Sequence, residues 1–182
     1  MCDSGPMPAE HRVELRAPSA EDRDEFLAAM RASAELHAPW LAPATTVEAF
    51  DALLLRARGD EFEPMLVREH GGGPIVGYFN VSNIIRGPLQ SAFLGYGTVA
   101  GYGGRGYMTE GLELVLERVF TELSLHRLEA GIQPANHASI GLVRRCGFVR
   151  EGFSERYLMV GGDWRDHERW AIRRELWEAP RG

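Results

Sequence analysis

The sequence predicts a mixed α/β domain, and three features of its patterning carry that prediction. Period-two runs around a glycine hairpin signal occupy residues 61–99. A strand then enters a glycine-rich turn that opens the longest helical pattern of the chain. A shorter helix leads into two last strands, 148–160 and 166–175, linked by Gly161-Gly162-Asp163-Trp164. Strands first, then a βαβα alternation, then a terminal hairpin is the element order of a mixed α/β domain.

In chain order, residues 11–17 set Val13 and Leu15 against polar neighbours and read as a short strand. Ser19 is the expected N-cap of a helix. Glu21 and Asp22 lie in its first turn, where carboxylates meet the positive end of the helix dipole. Phe26, Leu27 and Met30 give that helix its apolar side. Residues 35–44 (ELHAPWLAPA) read as a proline-punctuated loop. TTVEAFDALLLRAR is a second helix with Phe50, Leu53 and Leu54 at helical spacing, ended by Gly59. Residues 61–69 and 75–85 are strands joined through Gly71-Gly72-Gly73-Pro74, and 91–99 is a third antiparallel strand. The helix at 107–124 carries an apolar stripe of Leu112, Val115, Leu116, Val119 and Phe120. Residues 127–133 form a strand, and Asn136–Cys146 a helix closed by Gly147.

The bulk numbers set limits on function. A length of 182 residues predicts one domain, over 11–176, with tails at 1–10 and 177–182. Apolar residues are 45% and charged residues 25%, enough for a core without disulfides or metals. The net charge of −6 argues against a general nucleic-acid binder, which carries a basic face. The two cysteines, Cys2 and Cys146, fit a reducing compartment, and Cys146 reads as a small buried hydrophobe. No run approaches the ~18 apolar residues of a membrane span, and the first ten residues lack the apolar stretch of a leader peptide. The expectation is a cytoplasmic protein. The six histidines are scattered without a metal-ligand spacing, so no metal is expected.

The chemistry begins at residues 95–109, GYGTVAGYGGRGYMT. A helix N-terminus offers unpaired N–H groups and partial positive charge, and glycines let that backbone approach an anion closely. Strand, glycine turn and helix together form a cradle for a pyrophosphate. The P-loop pattern needs a Gly-Lys-Ser/Thr, and this turn has no lysine. Gly101, Gly103 and Gly106 fall at the G-x-G-x-x-G spacing of dinucleotide folds, but that motif should open a βαβ unit near the start of a parallel sheet, and this turn follows three antiparallel strands. A second constellation, NHASIGLVRRCGF, fills 136–148. Asn136 is a natural N-cap, Ser139 follows on the same side, and Gly147 stops the helix.

Together, GGRGYMTEGL and NHASIGLVRRCGF resemble the GNAT N-acetyltransferases. That superfamily's signature is Gln/Arg-x-x-Gly-x-Gly/Ala. Gly106 matches it, while Gly103 and Met108 depart from its first and last positions. The Met, with LGY at 94–96, LHAPWL at 36–41 and EGFSERYLMVGGDWRDH at 151–167, resembles the RimJ/RimL-like branch of protein N-terminal acetyltransferases. The likeness runs over about residues 11–175. It implies a GNAT fold, a mostly antiparallel mixed sheet flanked by helices, and acetyl-CoA as cosubstrate.

The resemblance also implies roles. Thr98 and Val99 pair by backbone with the pantetheine arm. The backbone of Gly103, Gly104, Arg105, Gly106, Tyr107, Met108 and Thr109 holds the pyrophosphate, and Asn136 bonds the pantetheine region. The amine attacks the thioester directly. Many family members carry a Tyr seven residues after the Asn as proton donor, where this chain has Val143. Ser139 therefore takes the part of stabilising the departing thiolate. His37, Trp40 and Tyr96 are expected on the substrate wall. The branch's acidic residue before the late-strand Tyr is replaced by Arg156, with Glu155 one position back. A one-residue shift on a regular strand faces the opposite side, so no base is assigned. Arg144 and Arg145 reach a phosphate or complement the dipole of their helix. The hairpin residues Trp164, Asp166 and His167 read first as turn structure. The acceptor implied is a protein or peptide N-terminus. Small amines such as antibiotics, polyamines or aminoacyl nucleotides are the alternative, and a non-catalytic acyl-CoA-binding module is the reading from another class. Homodimers are common in the family, and no residue of this sequence shows one.

Overall fold

The computed structural model describes residues 11–179; the expected tail at 1–10, Cys2 and residues 180–182 lie outside them. The chain runs β1 (Val13–Arg16), α1 (Arg23–Ala32), α2 (Ala34–His37), α3 (Val47–Arg56), β2 (Phe62–Glu69), β3 (Ile75–Ile85) and β4 (Ser91–Thr98). It continues through α4 (Tyr107–Thr121), β5 (Arg127–Ile132), α5 (His137–Arg145), β6 (Val149–Val160), β7 (Asp163–Arg173) and α6 (Arg174–Glu178). One seven-stranded sheet has the order β1-β2-β3-β4-β5-β7-β6. Every neighbouring pair is antiparallel except β4 and β5. The mixed, mostly antiparallel sheet flanked by helices is the expected class.

Both faces of the sheet centre are covered, which explains the near-continuous apolar run of β3. Val76, Phe79 and Val81 face α4, while Ile75 and Tyr78 pack with Phe26, Met30 and Phe50 of α1 and α3. The α4 stripe of Leu112, Val115, Leu116 and Val119 is fully buried, each side chain contributing about 1.5–3 kcal/mol of transfer energy. Helix and sheet sit close there: a Cβ on Gly111 would stand 3.1 Å from the Phe79 ring. Thr46 caps α3, its side chain accepting the N–H of Ala49 at 3.2 Å.

Three local features differ from the sequence expectation. Ser19 caps a single 3-10 turn, Ala20–Asp22, and α1 starts after it. Its N–H and hydroxyl donate to the Asp22 carboxylate at 2.7 and 2.9 Å, which stops the first turn short. The proline-punctuated stretch contains one helical turn, α2, before Pro39 ends it. The last strand stops at Arg173, and α6 sets Trp177 against Phe120, ring centroids 5.4 Å apart.

The feature that creates a site is the end of one pairing. β4 and β5 run side by side only over Ser91–Phe93 and Arg127–Glu129, then separate. β4 stays bonded to β3 on its other edge as far as Thr98, which lies opposite Gly77. The parting strands leave one edge of β4 unpaired in the middle of a sheet.

Candidate active site

The gap between β4 and β5 opens into a cavity of about 520 Å³. Its floor is the edge of β4. Val99 donates its N–H to the Val76 carbonyl at 2.9 Å, so alternation turns the N–H groups of Thr98 and Tyr96 away from β3 and into the gap. This corrects one of the two expected pantetheine contacts. Thr98 faces the cavity, whereas Val99 is committed to β3 and does not line it.

One wall is the glycine turn. Gly104 and Gly106 take φ +74° and +88°, and Gly106 is the N-cap of α4. A Cβ at Gly101, Gly103 or Gly104 would meet nothing within 4 Å, so the backbone there is open to a ligand. The N–H groups from Gly104 to Met108 find no acceptor among the described residues. That of Thr109 donates to Gly106 O at 3.0 Å, which removes it from the expected cradle. Arg105 and Tyr107 are not among the residues lining the cavity. The Tyr107 hydroxyl donates to Glu69 at 2.7 Å, and Arg12 holds the Arg105 carbonyl at 2.9 Å. Arg12 also clamps Glu110, in the first turn of α4, through its Nε at 2.7 Å and its backbone N–H at 2.9 Å. The turn is thus braced from outside and bare on its inner side.

The opposite wall is the N-terminus of α5. Asn136 Oδ1 caps it by accepting the Ser139 N–H at 3.1 Å, leaving its amide N–H groups for a ligand. Ser139 stands in the first turn and lines the cavity, its hydroxyl hydrogen-bonded to that of Tyr96. Burial pushes the Tyr96 phenol far above its ordinary value, against a smaller opposing effect of the Ser139 hydrogen bond, so it stays protonated. Two helix N-termini therefore point at one gap, where a pyrophosphate and a developing thiolate would both be stabilised.

A roof crosses the gap. His37 is 3% exposed, and its Nε2 donates to the Thr98 carbonyl at 2.8 Å. Gln133 Nε2, just past β5, donates to Pro39 O at 3.0 Å. The Ala100 N–H donates to Ser33 Oγ at 2.9 Å. The segment carrying His37 and Trp40 is thus fastened to both parting strands, which makes His37 a fixing point of the wall as well as part of its surface.

Of the expected residues, the structure gathers His37, Trp40, Tyr96, Thr98, Gly103, Gly104, Gly106, Met108, Thr109, Asn136 and Ser139 around one cavity. Sequence reasoning missed Gln133, Arg12 and Glu110, whose partners are remote in the chain. It also set His167 aside as turn structure. His167 is buried at the cavity, with Nδ1 on the Arg165 carbonyl at 2.9 Å. The two arginines of α5 divide: Arg144 stacks over Trp170 at 5.1 Å, and Arg145 borders the cavity. The Glu155 argument changes as well. β6 carries two extra residues against β7 between Ser154 and Leu158, with Arg156 at φ +45°. Tyr157 and Leu158 consequently both lie over Gly131. Alternation fails across this bulge, and Glu155 is exposed outside the cavity lining. Among the described residues no cluster of His, Cys, Asp or Glu is arranged to hold a metal, and no helix is long and apolar enough to cross a membrane.

Parted parallel strands, a bare glycine turn and a capped second helix around one cavity define a class of acetyl-transfer site. Residues 12–149 match the acetyltransferase (GNAT) domain, and the chain belongs to that family. It carries an N-acetyltransferase domain. Among solved structures it is similar to RimJ of Mycobacterium smegmatis in complex with CoA-disulfide, at 31% identity and TM-score 0.83, over 93% of this chain and 85% of that one. A spermidine N-acetyltransferase of Vibrio cholerae shares the fold, with TM-score 0.79 at 18% identity, over 92% of this chain and 99% of that one. Among curated proteins, the [ribosomal protein uS5]-alanine N-acetyltransferase of Escherichia coli is 35% identical over 57% of this chain and 53% of its own length. A probable N-acetyltransferase of Bacillus subtilis, YjcK, is 41% identical over 54% of each chain. The chain spans about half the length of the curated relatives it matches.

Proposed function

We propose that the protein is an acetyl-CoA-dependent N-acetyltransferase of the α-amino group at a protein or peptide N-terminus, acting in the cytoplasm through one domain over residues 11–176. The observation that carries the acceptor choice is the charge of the cavity. None of the described residues lining it is Asp or Glu. A polyamine brings several positive charges and needs carboxylates to meet them, whereas an N-terminal peptide brings one amine and a neutral backbone. The absence of a carboxylate base in the lining agrees with this. An α-amine has a pKa near 7.7–8.0 and lysine near 10.4, a difference of about 3.4 kcal/mol in deprotonation at fixed pH. The first acceptor loses its proton to water at far smaller cost. The 31% identity to a RimJ makes N-terminal alanine the first residue to try.

In this reading the N–H groups of Gly104 to Met108 hold the pyrophosphate. The edge of β4 at Tyr96 and Thr98 pairs with the pantetheine arm, and Asn136 donates to it. Arg145 borders the cavity as an additional cation for a phosphate. The roof carrying His37 and Trp40 orients the acceptor and keeps bulk water from the thioester. The amine nitrogen attacks the carbonyl carbon and the C–S bond breaks with its electron pair on sulfur. Ser139 and the positive end of α5 then stabilise the thiolate.

Thiol release from acetyl-CoA tests this against free N-terminal Ala, Ser and Thr peptides, N-blocked Lys peptides and small amines, with Ser139→Ala as control. Turnover on the free peptides that falls in the variant is the expected result. Turnover on small amines alone overturns the acceptor and leaves the acetyl-CoA site standing. Acetyl-CoA binding without turnover on any acceptor points to a binding module.

A further inference from the structure

Tyr96 comes from β4 and Ser139 from the first turn of α5, and their hydroxyl groups meet at the cavity. The phenol oxygen also lies 3.4 Å from the Ser139 carbonyl oxygen, so both Ser139 oxygens sit beside the same donor. The Tyr96 ring is held against Phe79, centroids 5.6 Å apart, which fixes where the hydroxyl points. The α5 position where the family's signature has a tyrosine is Val143 here, fully buried and without a hydroxyl.

A serine hydroxyl has one proton and two lone pairs. If the phenol donates into Oγ, the serine proton is turned elsewhere, and the open side of Oγ is the cavity. A donated hydrogen bond also polarises the acceptor's own O–H and makes it a better donor. Burial keeps the phenol protonated, so it is a donor throughout the neutral range.

We propose that Tyr96 is a positioning residue for acetyl transfer: its phenol donates to Ser139 Oγ and thereby aims the Ser139 proton at the leaving sulfur. This rests on the acetyl-transfer reading above. The C–N bond forms, the C–S bond breaks with its electron pair on sulfur, and the proton lost by the amine goes to water. The thiolate is held by the Ser139 O–H, and Tyr96 gives up no proton. Stabilisation of the leaving thiolate is thus divided between two side chains, one from the sheet and one from the helix.

The test is Tyr96→Phe, which keeps the ring against Phe79 and removes only the hydroxyl. With whichever acceptor supports turnover, kcat falls about 10-fold while KM for acetyl-CoA stays within about 2-fold. Combining it with Ser139→Ala gives a protein no slower than Ser139→Ala alone, because the two hydroxyls act as one unit. A donor whose leaving thiol is made more acidic by fluorine near sulfur needs less help, so the loss in Tyr96→Phe shrinks on it. A merely structural role would lower both donors equally. An unchanged kcat, equal losses on the two donors, or losses that multiply in the double variant each overturn the proposal. A second variant guards against a folding defect: 3-fluorotyrosine at position 96 keeps the hydroxyl and strengthens it as a donor. It holds kcat at or above wild type, and a fall there overturns the proposal. A wild type that turns over no acceptor defeats the acetyl-transfer reading itself, whereas a working wild type with an indifferent Tyr96→Phe defeats only the role of Tyr96.

Discussion

The two sides of the cavity are built in opposite ways. The side proposed for the cofactor is one continuous stretch, β4 into the glycine turn into α4, and what it offers is mainly backbone. From outside, the Tyr107 hydroxyl is anchored on Glu69 and the Arg105 carbonyl is held by Arg12. The side proposed for the acceptor is assembled from α2, the segment after it, the end of β5 and β7. Single hydrogen bonds hold it across 61 and 94 residues of sequence. Local sequence alone can specify a backbone site. A side-chain roof can be altered without disturbing that site, which is how one fold serves different amines.

Four substitutions probe this division, beginning with the largest effect. Ser139→Ala removes the hydroxyl at the leaving sulfur, and kcat should drop about 100-fold with little change in KM for acetyl-CoA. Steady-state thiol release reads both constants, and an unchanged kcat would remove Ser139 from the chemistry. Gly106→Ala places a side chain at φ +88°, a backbone region that costs an L-residue about 1–2 kcal/mol. The new Cβ would also approach the Arg12 guanidinium at 2.8 Å. KM for acetyl-CoA should rise about 10-fold, the counterpart of about 1.4 kcal/mol, while KM for the acceptor stays put. Calorimetric titration with coenzyme A provides the check, and equal weakening of both substrates would contradict the division of the site.

Gln133→Ala releases the roof from β5 without touching the glycine turn. KM for the acceptor should rise about 3-fold, the value of one partly exposed hydrogen bond, with coenzyme A affinity unaltered. A change in cofactor affinity would mean that the two sides are coupled. The smallest effect concerns the brace of the turn. Burial works to raise the Glu110 carboxyl, but the hydrogen bonds and charge of Arg12 outweigh it and hold it below its ordinary value. Stability from this pair is present above the unfolded value near ~4.3 and is lost as pH falls through the folded one. Glu110→Gln should therefore flatten the acid end of the melting curve by about 2–4 °C. Melting temperatures across the acid range measure it, and the same slope in both proteins would take Glu110 out of the acid response.

What could be read from the sequence follows the same division. Gly104, Gly106, Asn136 and Ser139 were legible because cap and turn chemistry acts over three or four residues. Val99 was misplaced because its direction depends on which edge of β4 faces β3, and register belongs to a pair of strands. Glu155 was argued from regular alternation, which the bulge in β6 cancels. His37 was visible as a residue of the acceptor wall, yet its bond to Thr98 exists only once α2 has packed over β4.

The sequence by itself determined the order of the strands and the longer helices, the glycine turn, the α5 cap and the family, since each is encoded by local spacing. Tertiary structure decided where β4 and β5 part, which strand edge faces the gap, and which remote side chains close over it. It also decided that the Tyr96 and Ser139 hydroxyls meet. Those facts rest on contacts between segments far apart in the chain, and such contacts are fixed only when the helices have packed on the sheet.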